Sequence, residues 1–309
     1  GFLPYQVNLP VYWDGAEAER FMAVPEREEI VIQTQPAGLG KKDEAEIRST
    51  VGLDRWRVPS GSVLMQTLSL EGQRVETQIS IKDGGEWRYL TYRWNEAQTD
   101  ATLVPDEGVE VVELPGRKQH WRFPSRTECT SCHTQRGMFA LGLTFAQLNR
   151  DFEYSDYGGG KMNQLEVLRK LYTYAEDRHI PELETLAVMP TPSDESIDLE
   201  DRARAYLHVN CAHCHRETGL GGRASFELLN WLSNERTGLI NGRPLIGLPG
   251  IPANEARLVT PGKPDHSEVY RRMTSIAIGK MPLLGNHNTI DQEGAELIRK
   301  WIESMEKDQ

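Results

Sequence analysis

The four cysteines of this chain form two pairs, and a histidine follows each pair directly. The strings are Cys-Thr-Ser-Cys-His at 129–133 and Cys-Ala-His-Cys-His at 211–215. This pentapeptide is the attachment signature of c-type haem, since two thiols three positions apart can each add to a vinyl group of one porphyrin. The adjacent histidine then binds the iron. We therefore predict two covalent haem c groups. The predicted thioether anchors are Cys129, Cys132, Cys211 and Cys214, and the predicted proximal iron ligands are His133 and His215.

Other uses of paired cysteines fit this pattern less well. Four thiolates could hold a structural zinc ion, but zinc ribbons separate their pairs by about 15–20 residues. Here the pairs lie much further apart in the sequence. A thioredoxin-like redox pair does not need a histidine after each cysteine pair. Haem attachment would consume all four thiols, so we expect no disulfides, and it takes place outside the bacterial cytoplasm.

Each haem iron also needs a sixth ligand or an open face. For the second haem the candidate is Met281 in Gly-Lys-Met-Pro at 279–282, because a class I cytochrome c has its methionine ligand in a loop before the terminal helix. For the first haem the candidate is Met189, which repeats the Met-Pro dipeptide and suggests an internal duplication. An open first haem is an alternative. Other candidates for its distal ligand are Met138, Met162, His120 and His179.

The elements that must position the motifs begin with a β-rich segment over 1–122. Apolar and polar residues alternate over 74–82, and Asp-Gly-Gly at 83–85 is a strong hairpin signal before the aromatic stretch 86–94. The residue types favour strands in these stretches. Further strands are predicted over 63–70, 101–104 and 108–114. We expect a sandwich-like β domain.

The rest of the chain is predicted to be mainly helical. In the first haem region, 123–193, we expect a helix over 139–150 and another from Asn163 to about residue 177. In the second, 194–309, Asp198 should cap a helix over 199–209 that leads into the second motif, and Asp291 should cap the last helix. This order of elements is typical of a class I cytochrome c: a helix, the haem motif, a loop, a methionine and a terminal helix. The predicted fold class is α+β.

The charge balance restricts the partners. The chain has 309 residues, with 35 lysines and arginines against 46 acidic residues, a formal charge of −11. An acidic protein is a poor ligand for nucleic acid or anionic lipid and would attract partners with basic docking patches. No run of about 18 apolar residues is present, so we expect no membrane span. The sequence begins at Gly1 without a signal-peptide pattern, and we expect a mature exported chain in the periplasm or outside the cell.

Further motifs resemble those of a known family. They are Tyr-Gln-Val-Asn at 5–8, Pro-Ser-Gly-Ser-Val-Leu at 59–64, Arg-Trp-Asn-Glu-Ala-Gln-Thr-Asp-Ala at 93–101, Phe-Pro-Ser-Arg-Thr-Glu-Cys at 123–129 and Arg-Ala-Arg-Ala-Tyr-Leu at 202–207. With the two haem motifs, they make the chain resemble exported bacterial dihaem c-type cytochromes along almost its whole length. The resemblance implies that Cys211, Cys214, His215 and Met281 hold the second haem. It also implies an electron donor of the dehydrogenase class, since similar modules occur beside quinoprotein-type sugar dehydrogenases.

The leading functional hypothesis is electron transfer rather than an enzymatic reaction. Single electrons would pass from a dehydrogenase, a respiratory complex or another cytochrome to an acceptor. A dihaem peroxidase-like enzyme would need an open first haem and an acid–base residue above it, and no residue marks that role. A third hypothesis makes the β-rich segment a binding module, although core packing explains its aromatic residues more simply. The aromatic platform would consist of Trp87, Tyr89, Tyr92 and Trp94.

Overall fold

The described residues form two compact units. The computed structural model describes residues 1–26, 28–33, 51, 53–106, 108–135, 139–175, 180–217, 219–221, 225–247, 249–284 and 288–305. Within these, unit 1 contains 1–10, 16–33 and 51–189, and unit 2 contains 11–15 and 190–305. Strand residues outnumber helical residues, 29% against 24%, and the N-terminal region is β-rich as predicted.

The strands of the described residues all belong to unit 1. They are β1 Leu3–Tyr5, β2 Glu17–Ala23, β3 Glu29–Gln33, β4 Arg55–Arg57, β5 Val63–Leu70, β6 Gln73–Asp83, β7 Glu86–Trp94, β8 Ala101–Val104, β9 Gly108–Leu114, β10 Arg117–Phe123, β11 Asp151–Glu153, β12 Lys161–Asn163 and β13 Thr173–Tyr174. Strands β5 to β9 were all predicted, β6 from its alternation of residue types and β7 from its aromatic residues, and these predictions are confirmed.

The described helices divide between the two units. The helices of unit 1 are α1 Arg126–Cys132, α2 Phe145–Leu148 and α3 Gln164–Leu171, with 3-10 turns at Ser155–Tyr157 and Leu183–Thr185. Those of unit 2 are α4 Leu199–Cys211, α5 Asn234–Thr237, α6 Glu268–Met273 and α7 Gln292–Ser304, with a 3-10 turn at Pro264–His266. None of these helices combines the length and the hydrophobicity that crossing a bilayer requires.

A six-stranded antiparallel sheet in the order β1-β2-β5-β6-β7-β8 is the main element of the described part of unit 1. Successive side chains of a strand point to opposite faces. Trp87 and Tyr89 therefore lie on one face of β7. Tyr92 and Trp94 lie on the other face. The four aromatic side chains do not form the single platform that the binding-module hypothesis requires.

The core of unit 1 joins this sheet to the smaller elements. Strand β3 pairs with β4 and, in parallel, with β13. Trp56 of β4 packs edge-on against Phe145 of α2 at 5.6 Å between ring centroids and against Tyr174 of β13 at 6.2 Å. Buried Asp54 accepts hydrogen bonds from the Phe145 amide and the Trp56 indole. Helix α2, strand β4 and strand β13 are thereby fixed to one another.

Two helix predictions in the first haem region are wrong in extent. The helix expected over 139–150 is reduced to α2, because Phe139 and Gly142 have positive φ angles that a right-handed helix does not tolerate. The helix capped by Asn163 begins as predicted but ends at Leu171 rather than about residue 177. Tyr174 pairs with β3 and packs on Trp56, so tertiary contacts override the helical pattern there.

Unit 2 is organised by two capped helices. Asp198 caps α4, and Asp291 caps α7, as predicted. The Tyr206 hydroxyl of α4 donates to Asp291 at 3.0 Å. Gly294 of α7 lies so close to the Tyr206 ring that a Cβ atom there would come within 2.2 Å of it, so only glycine fits this helix contact. The helix that leads into the second motif thus packs directly against the terminal helix.

Candidate functional sites at the two cysteine–histidine motifs

The first motif forms the end of α1. Ser125 and Glu128 make a capping box, with the Ser125 hydroxyl accepting from the Glu128 amide and the Glu128 carboxylate accepting from the Ser125 amide. Residues three apart on a helix lie on the same side, so Cys129 and Cys132 are neighbours on its last turn. His133 caps the C-terminus, and its amide donates to the Cys129 carbonyl at 2.9 Å. Both thiols and the imidazole are therefore carried by one short helix.

Helix α1 is attached to strand β7 at both ends. Near its start, the Thr91 hydroxyl donates to the Pro124 carbonyl at 3.3 Å. At its end, the Tyr89 ring lies 4.9 Å from the His133 ring. Trp87, two residues along the strand, stacks beside Tyr89 at 6.5 Å between centroids. The face of β7 that carries Trp87 and Tyr89 is thus the aromatic wall of the first motif.

The His133 imidazole is oriented by a backbone carbonyl. Its Nδ1 lies 2.5 Å from the Phe139 oxygen, and a carbonyl can only accept, so Nδ1 carries the proton. The lone pair is then on Nε2. This arrangement is the usual support of a metal-binding histidine, because the bond fixes the ring and makes the other nitrogen more basic. Phe139 adopts a positive φ of 62° in the loop that presents this carbonyl.

Both motifs keep their first cysteine as a neutral thiol. Burial, with smaller contributions from Glu76 and Glu128, raises the pKa of Cys129 to about 11. Burial, with a contribution from Cys214, raises the pKa of Cys211 to about 12. Redox-active cysteines need a lowered pKa, so these surroundings do not activate the thiols as nucleophiles. All four cysteines lie in the described part of the chain, and none is in a disulfide.

The second motif continues directly from α4. Cys211 is the last helical residue, and its carbonyl accepts from the amides of Cys214 at 3.1 Å and His215 at 2.9 Å. This turn keeps the two cysteines three positions apart on one side, as α1 does in the first motif. The predicted helix over 199–209 is confirmed and extends into the motif. The His215 carbonyl in turn accepts from the Leu228 amide at 2.9 Å.

The His215 ring is held by packing rather than by a carbonyl. It stacks on Phe226 at 4.6 Å, with the ring planes 17° apart. Gly221 lies on it so closely that a Cβ atom would come within 2.8 Å of Nδ1. Among the described residues, the buried Nδ1 has no hydrogen-bond partner. Burial lowers the pKa of His215, and the nearby Arg272 charge adds to the effect, so the imidazole is neutral at pH 7.

The described residues 274–284 form the Met281 loop, which is anchored to α6 through Arg272. The Met281 amide donates to the Arg272 carbonyl at 3.1 Å, and the Arg272 guanidinium donates to the carbonyls of Gly279 and Ile246. Because Arg272 also acts electrostatically on His215, the loop and the second motif lie in the same part of unit 2. The Met281 side chain is partly exposed. That its thioether binds the second iron stays a prediction.

Several apolar side chains of unit 2 are exposed to solvent. They occur on the loops that Arg272 joins and next to Gly221, in the turn after the second motif. Those more than half exposed among the described residues of unit 2 are Leu220, Leu245, Ile246, Ile276, Ile278 and Leu283. Where exposed apolar side chains form one patch, they mark a binding surface, and a porphyrin ring is an apolar ligand that would cover such a patch. The residues present therefore fit a haem.

The distal candidates for the first haem are distributed over unit 1. Met189 is buried, and its amide donates to the Ala146 carbonyl at 2.8 Å. Met162 lies on β12 and is exposed, and His120 lies exposed on β10. Met138 and His179 lie outside the described residues. Met189 thus shares the unit of the first motif, and its binding to the iron remains a prediction.

Several residues of the sites have weak signals in the sequence. The Tyr89 ring contacts His133 from a strand far away in the sequence. The Phe139 carbonyl and the Arg272 guanidinium act through loop conformations that residue types do not encode. Gly221 belongs to a glycine-rich stretch directly after the second motif, and this stretch indicates a close backbone approach. This signal predicts tight packing but does not identify His215 as the residue that Gly221 contacts.

Comparison of the chain with protein-family models, with curated proteins and with solved structures gives no match in any of the three. The interpretation of the two motifs therefore depends on the residue types and the geometry of this chain.

Proposed function

We propose that this protein is an exported dihaem c-type cytochrome that carries single electrons between a donor dehydrogenase or respiratory complex and an acceptor. The observation that supports this best is the hydrogen bond from His133 Nδ1 to the Phe139 carbonyl. This bond leaves a basic Nε2 at the end of helix α1, which also carries Cys129 and Cys132. If His133 had only a structural role, it would not need the tautomer of a proximal iron ligand next to two thiols.

The chain's own residues would hold and tune the two groups. When bound, each haem supplies an iron that changes by one electron between its ferric and ferrous states. Cys129 and Cys132 would anchor the first group, with His133 below the iron and Met189 as the distal candidate. Tyr89 and Trp87 would exclude water from that site, and exclusion of water raises the reduction potential.

Unit 2 is the part that we propose as a class I cytochrome c-like domain. Cys211 and Cys214 would anchor the second group, and His215 and Met281 would be its axial ligands. In support, α4 runs directly into the motif, and α7 packs on α4 at the contact of Gly294 with Tyr206. A methionine ligand raises the reduction potential relative to a second histidine.

The partners that we propose are redox proteins with basic docking patches. The formal charge of −11 would attract such surfaces, and the association rate would fall as the salt concentration rises. Covalent haem attachment implies the periplasm or the cell exterior as the location. Electron transfer needs no bond to be made or broken in a substrate, so the proposed role is not enzymatic.

The test is haem stoichiometry after expression with a periplasmic c-type maturation system. We expect two covalent haems per chain by intact mass and by the pyridine haemochrome spectrum. Each double variant, Cys129→Ala with Cys132→Ala or Cys211→Ala with Cys214→Ala, should retain one. Ser131→Ala is the matched control within the first motif and should retain both. A soluble, folded chain that carries zinc and no covalent haem would overturn the proposal.

Carbon monoxide binding distinguishes electron transfer from the peroxidase-like alternative. With both irons six-coordinate, the reduced protein should bind no carbon monoxide at neutral pH. Stoichiometric binding at the first haem would mean an open site there and would favour the enzyme.

A further inference from the structure

Helix α6 carries a buried acid between two arginines. Glu268 has no exposed surface, and its carboxylate lies 3.4 Å from Arg272 Nε and 3.8 Å from Arg271 Nη1. Positions three and four apart on a helix are neighbours, so the spacing directs both guanidinium groups to the same acid. A buried carboxylate is tolerated only with such partners. The acid thus fixes where the arginine side chains can lie.

The two arginines hold different parts of unit 2. Arg272 donates from Nη1 to the Gly279 carbonyl at 2.9 Å and from Nη2 to the Ile246 carbonyl at 2.5 Å. Its own carbonyl accepts from the Met281 amide at 3.1 Å. Arg271 donates instead to the Pro249 carbonyl. The side chain and the backbone of Arg272 therefore both hold the loop that carries Met281.

Within the described part of this loop, the apolar side chains are largely exposed. Ile276 and Leu283 are more than half exposed, and Ile278 is fully exposed. Few buried apolar contacts mean a low free energy of local opening. A planar guanidinium with several donors can join two backbone segments in one geometry, which lysine cannot do. Arg272 is suited to keep the loop in a single position.

We propose that Arg272, oriented by Glu268, is the positioning residue that keeps the Met281 thioether on the iron of the second haem. This inference rests on the proposed function, since it takes Met281 as the distal ligand. A neutral thioether is a soft ligand that ferric iron holds weakly, so its binding depends on how firmly the protein presents it. Without the Arg272 bonds, water or another base would replace the thioether in the oxidised protein.

The test compares Arg272→Gln with Arg271→Gln in the full-length holoprotein. Arg271 is the matched control, because it lies on the same helix and faces the same acid, but its guanidinium donates to the Pro249 carbonyl rather than to a described residue of the Met281 loop. The readouts are the near-infrared charge-transfer band of methionine-bound ferric haem and the reduction potential. Met281→Ala defines how much of each signal belongs to this ligand.

We expect Arg272→Gln to lose most of the band that Met281→Ala removes and to lower the potential in the same direction. Arg271→Gln should keep the wild-type values, and Glu268→Gln should fall between the two arginine variants. If Arg272→Gln prevents haem incorporation, Arg272→Lys replaces it, because lysine keeps the charge but cannot bond both carbonyls.

Two results would overturn the inference, and they are distinguishable. If Met281→Ala changes the spectrum and Arg272→Gln does not, Met281 is a ligand but Arg272 does not position it. An equal loss in both arginine variants has the same meaning. If Met281→Ala leaves the band and the potential unchanged, Met281 is not the ligand, and the distal part of the proposed function fails as well.

Discussion

The two motifs share a sequence pattern but hold their histidines in different ways. His133 donates from Nδ1 to the Phe139 carbonyl, whereas the Nδ1 of His215 is buried without a partner among the described residues, and that ring is held between Phe226 and Gly221. A hydrogen-bonded imidazole donates more electron density to iron and stabilises the ferric state. The comparison predicts a lower potential for the first haem than for the second.

The distal candidates do not add to this difference. Methionine is proposed at both sites, Met189 at the first and Met281 at the second, and a methionine ligand favours the ferrous state. The proposed sites would therefore differ in the support of the proximal histidine. Two motifs of the same Cys-x-x-Cys-His pattern could then give haems of different potential through residues outside the motifs.

The largest expected effect is on the free energy of unfolding and comes from Glu76, whose charge acts on Cys129 of the first motif. Glu76 is fully buried on β6, where it accepts from Trp121 Nε1, and burial raises its pKa to about 7. A raised folded-state pKa stabilises the protein below the unfolded pKa, and this stability is lost as the pH rises through 7. The contribution of Glu76 to the free energy of unfolding should fall by about 2–3 kcal/mol between pH 5 and pH 8.

Urea unfolding at the two pH values checks this prediction. Glu76→Gln should remove this contribution, because the amide can still accept from Trp121 but does not ionise. The smaller contribution of buried Asp54, whose pKa burial raises to about 6, should remain. Glu110→Gln is the control, since Glu110 is exposed in an ion pair with Arg93 and should leave the dependence unchanged. An unchanged pH dependence in Glu76→Gln would exclude Glu76 as its source.

Met281→Ala should have the next largest effect and be confined to the second site. Loss of the thioether should lower the potential of that haem by on the order of 0.1 V, within the roughly 0.8 V that axial ligands span. For one electron this corresponds to about 2 kcal/mol. Spectroelectrochemical titration measures it. The exposed Met162 provides the control, and Met162→Ala should change neither potential. A shift of the lower-potential haem instead would reverse the assignment.

Gly221→Ala tests whether His215 is held by close packing. The added methyl group would meet the imidazole at about 2.8 Å, so the ring or the turn must move. Overpacking of this kind costs about 1–3 kcal/mol. We expect reduced incorporation of the second haem with the first unaffected, measured as haem per chain. The control is Gly85→Ala in the β6–β7 turn. Gly72→Ala would not serve as the control, because Gly72 has a positive φ angle. Full incorporation in Gly221→Ala would contradict the packing.

The smallest effect is expected for the aromatic neighbours of the two histidines. Phe226→Leu and Tyr89→Leu each remove the ring contact with the neighbouring histidine, worth about 0.5–1.5 kcal/mol, and Tyr89→Leu also removes the contact with Trp87. His133 keeps its carbonyl partner without Tyr89, so the first potential should change less than the second does in Phe226→Leu. Paired titrations of the two variants check this order. Equal shifts would mean that packing supports both histidines alike.

The sequence predicted the β-rich region well because its signals are local. The alternation over 74–82 and the turn at 83–85 determine strands β6 and β7, whose pairing depends on neighbours in the chain. Strands β1 to β4 were not predicted individually and form through pairing over longer sequence separations. Strand β10 was missed although it pairs locally with β9. The caps Asn163, Asp198 and Asp291 were correct for the same local reason.

The sequence predicts candidate ligands for the two sites but not the residues that support them. Cysteine and histidine spacing carries its own chemistry, so the motif residues could be chosen without a fold. The contact of Phe139 with His133 depends on a positive φ in a loop, and that of Arg272 with Gly279 depends on how two loops meet. Neither follows from residue type, because the geometry is set by packing elsewhere in each unit.

A spectroelectrochemical titration of the full-length holoprotein, repeated on Cys211→Ala with Cys214→Ala, tests the central claim most directly. We expect two one-electron transitions in the wild-type protein, with the higher-potential transition absent from the double variant. A chain with no reducible haem would contradict the dihaem assignment. Loss of the lower-potential transition in the variant would contradict the difference between the two histidines on which the comparison depends.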